Sequence, residues 1–204
     1  MLTAQIGNPR GVNLQVDLES GQLQGVRHIA SPNFDSRPHG VEPDLIVVHG
    51  ISLPPGEFGG PWIERLFTNT LPPEKHPYFA EVGALRVSSH LVLDRDGKIT
   101  QYVPFGERAW HAGKSIYGDR EACNDFSVGV ELEGTDTLPY TAAQYDALAE
   151  AVAALCAAYP GLSPQRLVGH SDVAPGRKTD PGPAFDWPKA RRLIDSACLR
   201  TLPR

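Results

Sequence analysis

The stretch LIVVHG, Leu45 to Gly50, decides the fold. Four apolar residues follow Pro43 and Asp44 without alternation, so the run predicts a strand covered on both faces, as in an α/β sheet. His49 stands at its end. Side chains beyond strand ends in such sheets gather into a crevice, which makes His49 a candidate ligand or catalytic group.

Downstream, Val87 to Val103 reads as a hairpin. His90-Leu91-Val92-Leu93 and Ile99 to Val103 are β-rich runs, and Asp96-Gly97 between them supplies a tight turn. One part of the sheet is therefore antiparallel. His90 lies within a strand and reads as a hydrogen-bonded core histidine. Ser127 to Leu132, SVGVEL, alternates: Val128, Val130 and Leu132 face one way, Gly129, Glu131 and Glu133 the other. Glu133, at the strand's end, reads as solvent-exposed, while Glu131 is placed to reach a site above the sheet as a general base.

Thr141 to Ala158 is the clearest helix, with Tyr145, Leu148, Val152, Leu155 and Tyr159 on one face and a capping box of Thr141 and Gln144. Pro160-Gly161 stops it. Arg166 to Val168 reads as a short strand that delivers His170, and Asp186 with Pro188 opens a C-terminal helix. Between these elements lies GHSDVAPGRKTDPGPAFDW, Gly169 to Trp187. Its glycines and prolines predict a loop of fixed path carrying His170, Lys178 and Asp180. His170 and Asp180 lack the spacing of a helical zinc motif, so the pair alone identifies no metal site.

The segment 51–82 is broken by Pro54-Pro55, Gly59-Gly60-Pro61 and Pro72-Pro73, and supports only a short helix around Trp62 to Phe67. An insertion of this kind predicts a wall or lid beside His49. His76 within it reads as a surface residue. Trp110, in the loop Trp110-His111-Ala112-Gly113, is a candidate stacking surface or a core side chain. Residues 1–25 are polar and aperiodic and read as an extension or loosely docked arm, which leaves 26–204 as one domain.

The 204 residues carry a net charge of -5, which argues against a nucleic-acid footprint, and no apolar run approaches a membrane span. No secretory signal is legible and the expected location is the cytoplasm. Cys123, Cys156 and Cys198 lack paired spacing and read as reduced thiols. Nothing in the sequence calls for an obligate protein partner.

Five blocks, VVHGISLPPGEFGGPW, HPYFAEVGALRVSSH, RAWHAG, CNDFSVGVELEGTDTLPYT and GHSDVAPGRKTDPGPAFDW, together resemble the AmpD family of N-acetylmuramoyl-L-alanine amidases, relatives of the peptidoglycan-recognition proteins. The resemblance spans roughly 26–193. It implies a mixed central sheet flanked by helices in a single α/β domain, a Zn2+ ion, and hydrolysis of the amide between the lactyl group of 1,6-anhydro-N-acetylmuramic acid and L-alanine in cell-wall recycling. By position in these blocks His49, His170 and Asp180 are the implied zinc ligands, with Glu131 and Lys178 the implied catalytic pair. Where the family's first block has Asn after the ligand histidine, this chain has Gly50, a departure that bears on substrate affinity or preference.

Two imidazoles and one carboxylate would leave zinc a fourth position open for water, the pattern of a catalytic site. Glu131 would take the proton of that water, and the Lys178 ammonium would face the developing oxyanion. An anhydro-muropeptide also needs an apolar surface for its sugar and a cation for its peptide carboxylates. Trp110 and Arg86 are the candidates for those two tasks. The alternative to an enzyme is a non-catalytic muropeptide-binding module using the same groove.

Overall fold

The computed structural model describes residues 14–201. In chain order its central strands are β1 (Arg27–His28), β2 (Leu45–Ile51), β3 (Leu91–Leu93), β4 (Ile99–Gln101), β5 (Ser127–Glu133) and β6 (Leu167–Gly169). They form one six-stranded sheet in the order β6-β2-β5-β3-β4-β1. β6, β2, β5 and β3 are parallel, while β4 runs antiparallel to β3 and pairs in parallel with β1. The sheet is mixed, as the hairpin and the buried apolar strand together require.

The helices are α1 (Trp62–Phe67), α2 (Pro77–Val82), α3 (Ala142–Ala158), α4 (His170–Val173) and α5 (Trp187–Thr201). α3 starts at the Thr141–Gln144 capping box, and Asp186 accepts the Lys189 N–H in the first turn of α5. These two helices cover one face of the sheet. Leu148, Val152 and Leu155 of α3 and Ile194 and Ala197 of α5 pack with Ile46, Val48, Leu91, Val128, Val130 and Leu132. Each fully enclosed Val, Leu or Ile among them contributes roughly 1.5–3 kcal/mol.

The opposite face carries the insertion. Leu53, Ile63, Leu66, Phe67 and Phe79 pack with Val92, Tyr102 and Val103, while Leu45 and Val47 meet Ala112, Cys123, Phe126 and Val173. His49 and Glu131 lie on this second face, beside the insertion's packing.

Several expectations are corrected. β2 continues to Ile51 because its ladder with β5 runs on to Glu133, so His49 is inside the strand and not at its end. Glu133 is buried, since its carboxylate accepts the Gly59 N–H and so tethers the insertion to the sheet. α2 was not legible in the proline-rich insertion; Pro77 occupies its first turn and the His76 Nδ1 accepts the Tyr78 N–H, which gives half-buried His76 a capping task. The opening of the Gly169 loop is also helical, as α4.

Within the stretch read as an extension, residues 1–13 lie outside the described residues. Residues 14–25 are firmly docked: Val16–Asp17 pairs with Gln22–Leu23, and Leu23 is fully buried in the main core with its N–H on Gln101 Oε1. Arg37 anchors another segment. Its guanidinium, largely enclosed, donates to the carbonyls of Phe105, Asn124, Asp125 and Ser127, which fixes the approach to β5.

Candidate metal centre and active site

The parallel strands deliver three groups to one place. In the β2–β5 ladder His49 and Glu131 are direct partners, and His170 follows β6, the strand on the other side of β2. Side chains of paired residues in a parallel ladder project to the same face, so Glu131 stands beside His49. The loop after α4 returns Asp180 to the same point, where Ser171 N–H donates to the Asp180 carbonyl at 3.0 Å.

His49 Nδ1 lies 2.9 Å from His170 Nδ1, and Asp180 Oδ2 lies 3.0 Å from His170 Nδ1 and 3.3 Å from His49 Nδ1. Both imidazoles are buried, at 2% and 4% exposure. His170 Nε2 faces the Ala112 carbonyl at 3.2 Å. A carbonyl only accepts, so that nitrogen carries the proton and His170 Nδ1 presents a lone pair to the cluster. A neutral imidazole lone pair beside a carboxylate oxygen is a donor set for a cation, and among the described residues His49, His170 and Asp180 are the group that fits one. Burial holds His49 neutral, its pKa lowered to about 4.

Glu131 is 8% exposed, and its Oε2 is enclosed without a hydrogen-bond partner. Burial raises its carboxyl well above the ordinary carboxylate range, the Asp180 charge adds to this, and Lys178 opposes it. Lys178 is exposed, and its charge acts on both Glu131 and His49. Of the sequence-derived set, His49, His170, Asp180 and Glu131 are thus brought together, and exposed Lys178, two residues before Asp180, acts on Glu131 and His49 through its charge.

Trp110 is half-buried beyond the core clusters, with its indole N–H on Asp35 Oδ1 at 3.0 Å. Its carbonyl accepts the Ser88 N–H and its own N–H donates to Ser88 Oγ, both at 3.1 Å, so the Arg86 segment runs close by. The exposed Arg86 guanidinium donates hydrogen bonds only to the carbonyls of Ala84 and Leu85 among the described residues. At Gly50 an added Cβ would collide with the Tyr140 hydroxyl, which donates to the Pro181 carbonyl at 3.0 Å beside Asp180. His90 is a core residue, accepting the Gly129 N–H at Nδ1 and donating from Nε2 to the Glu107 carbonyl.

Sequence reasoning missed His111. Its Nδ1 lies 2.9 Å from His49 Nε2 and its ring rests over Gly129, where an added Cβ would strike it. The available signal was the glycine on the Glu131 face of β5, a position left without a side chain so that another group can occupy it.

Residues 39–183 match the N-acetylmuramoyl-L-alanine amidase family. The chain belongs to that family. It is 60% identical over 177 residues to the 1,6-anhydro-N-acetylmuramyl-L-alanine amidase AmpD of Escherichia coli K12, covering 87% of this chain and 96% of that protein. A crystal structure of a selenomethionine AmpD derivative superposes with a TM-score of 0.85 at 57% identity, covering 88% of this chain and 98% of the other. The Escherichia coli amidase AmiD, solved in complex with anhydro-N-acetylmuramic acid-L-Ala-D-γ-Glu-L-Lys, aligns at a TM-score of 0.55 and 26% identity, over 89% of this chain and 65% of that one. The amidase family's mixed sheet with flanking helices is the fold described above.

Proposed function

We propose that this amidase hydrolyses the amide between the lactyl group of 1,6-anhydro-N-acetylmuramic acid and L-alanine of muropeptides, in cell-wall recycling, with zinc held by His49, His170 and Asp180. The donor set supports zinc: two imidazole nitrogens and one carboxylate oxygen are a set found in catalytic sites with an open fourth position. Zinc, when bound, supplies a Lewis acid and lowers the pKa of a coordinated water toward about 7.

One observation carries the reading. Glu131, level with His49 on the next strand, keeps a buried carboxylate oxygen free of any partner. A buried oxygen left unpaired costs roughly 1–3 kcal/mol or more, and its use as a proton acceptor gives that cost a purpose. Glu131 takes the proton of the water attacking the amide carbonyl and passes it to the departing alanine nitrogen. The Lys178 ammonium faces the developing oxyanion, a kind of contact worth about 3 to 4 kcal/mol.

Trp110 offers its ring to the anhydro-sugar, with the indole oriented by Asp35, and Arg86 offers its guanidinium to peptide carboxylates. We assign the catalytic domain to residues 26–204, with residues 14–25 packed against it through Leu23. We assign the reaction to the cytoplasm, a reading that three free thiols support.

Incubation with anhydromuramyl-tripeptide followed by mass spectrometry tests the reading. Free tripeptide and anhydromuramic acid are expected; binding without release of peptide would favour a muropeptide-binding module instead.

A further inference from the structure

A histidine can ligate a metal through Nδ1 only while its proton resides on Nε2, and in this site both ligand histidines receive that instruction from one dipeptide. His170 Nε2 donates to the Ala112 carbonyl. The preceding residue meets the other ligand: His111 Nδ1 lies 2.9 Å from His49 Nε2. Two imidazole nitrogens at that distance share one proton, and which ring owns it depends on the far side of His111.

There His111 Nε2 lies 3.2 Å from Ser127 Oγ, and that hydroxyl donates its own proton to the Cys123 carbonyl at 2.6 Å. Ser127 can therefore only accept from His111, which puts the His111 proton on Nε2 and leaves Nδ1 as an acceptor. His49 must then donate from Nε2, and its Nδ1 lone pair is turned to the cluster. The chain of donors runs one way, because it ends on a carbonyl.

The surroundings are built for this arrangement. Asn124 Oδ1 accepts the N–H groups of both His111 (3.2 Å) and Ala112 (2.7 Å), holding the dipeptide in place. Gly129 leaves room for the His111 ring, since a Cβ there would lie 2.5 Å from the ring's Cγ. The His111 and His49 rings meet edge to face, at 85° and 5.0 Å between centroids. Ser127, Gly129 and Glu131 are alternate residues on one face of β5, so the strand that carries the proposed base also carries the seat for His111.

We infer that His111 is a positioning residue that, anchored by Ser127, holds His49 in the Nε2–H tautomer and so prepares its Nδ1 for metal. The inference rests on the metal reading above. Outer hydrogen-bond partners of ligand histidines typically change metal affinity by about 10- to 100-fold when removed.

The test compares wild type with His111→Leu, His111→Asn and Ser127→Ala, measuring zinc affinity by chelator competition and the protonation of the His49 and His111 nitrogens by 15N NMR. In wild type the proton between the rings should sit on His49 Nε2, with coupling across the hydrogen bond to His111 Nδ1. His111→Leu should weaken zinc binding by about 10- to 100-fold, with KM of the zinc-saturated protein close to wild type. His111→Asn, whose amide oxygen can accept from His49, should recover most of the affinity. Ser127→Ala should let the shared proton move between the rings.

A folded His111→Leu that binds zinc as tightly as wild type overturns the inference, as does a wild-type proton residing on His111 Nδ1. Should His111→Leu fail to fold, the wild-type and Ser127→Ala spectra still decide. A wild-type protein that binds no zinc would instead sink the metal reading, and the spectra of the metal-free protein would still report which ring holds the proton.

Discussion

Glu131 lies directly across from His49, one strand over in the parallel β2–β5 ladder. A candidate base and a candidate ligand are thereby fixed by backbone register instead of by a mobile loop. Rigid elements of this kind hold reacting groups within the small tolerance that catalysis demands. The same ladder separates their tasks, because Glu131 keeps one oxygen unpartnered while the His49 Nδ1 is engaged with His170 and Asp180.

Glu131→Gln should therefore retain the metal and lose turnover by about 100-fold or more, since the amide keeps the shape but cannot accept the proton. Metal content and kcat measured on the same preparation check this. Loss of the metal in that variant would make Glu131 a ligand.

Removing the metal should abolish activity while leaving the fold intact at 25 °C. The core clusters on both faces of the sheet are built from apolar packing that does not involve His49, His170 or Asp180. Zinc at about 100 times its Kd should nonetheless add about 2.7 kcal/mol by mass action, visible as a higher Tm. Circular dichroism that collapses on chelation, or activity that survives it, would contradict the assignment.

Trp110→Ala should raise KM for anhydro-muropeptide with zinc content unchanged. The ring is half-buried, outside the apolar clusters, and held at its N–H by Asp35, so its removal takes away a surface and not a core side chain. A lowered Tm with KM unaltered in the folded fraction would place the sugar elsewhere.

Stability should fall as pH drops from about 6.5 toward about 3, through His90. Burial, followed by the Arg37 charge, lowers its pKa from 6.5 to about 3. Within that window the unfolded chain binds the proton and the folded chain does not, so stability is present above 6.5 and declines by about 1.4 kcal/mol per pH unit below it. Urea midpoints at pH 7 and pH 5 for wild type and His90→Gln measure the effect. An identical pH dependence in the two proteins would remove His90 as its source.

Local pattern carried much of this molecule. The unbroken run Leu45 to Val48 announced a strand covered on both faces, the alternation of SVGVEL set Glu131 opposite Val128, Val130 and Leu132, and the Thr141–Gln144 capping box marked the start of α3. Each is a statement about neighbours in the chain, which side-chain periodicity and backbone hydrogen bonding dictate without reference to the rest of the protein. The proposed ligand set was legible only through its likeness to a family, because His49 and His170 are 121 residues apart and nothing local relates them. Burial of Glu133, the helix after His76 and the role of His111 depended on tertiary structure. Glu133 looks like a solvated strand end until Gly59 is folded over it, and His111 looks like a loop residue until β5 brings Ser127 and Gly129 beneath its ring. Hydrogen-bond partners of that kind are chosen by which strands become neighbours and in what register, and long-range packing decides both.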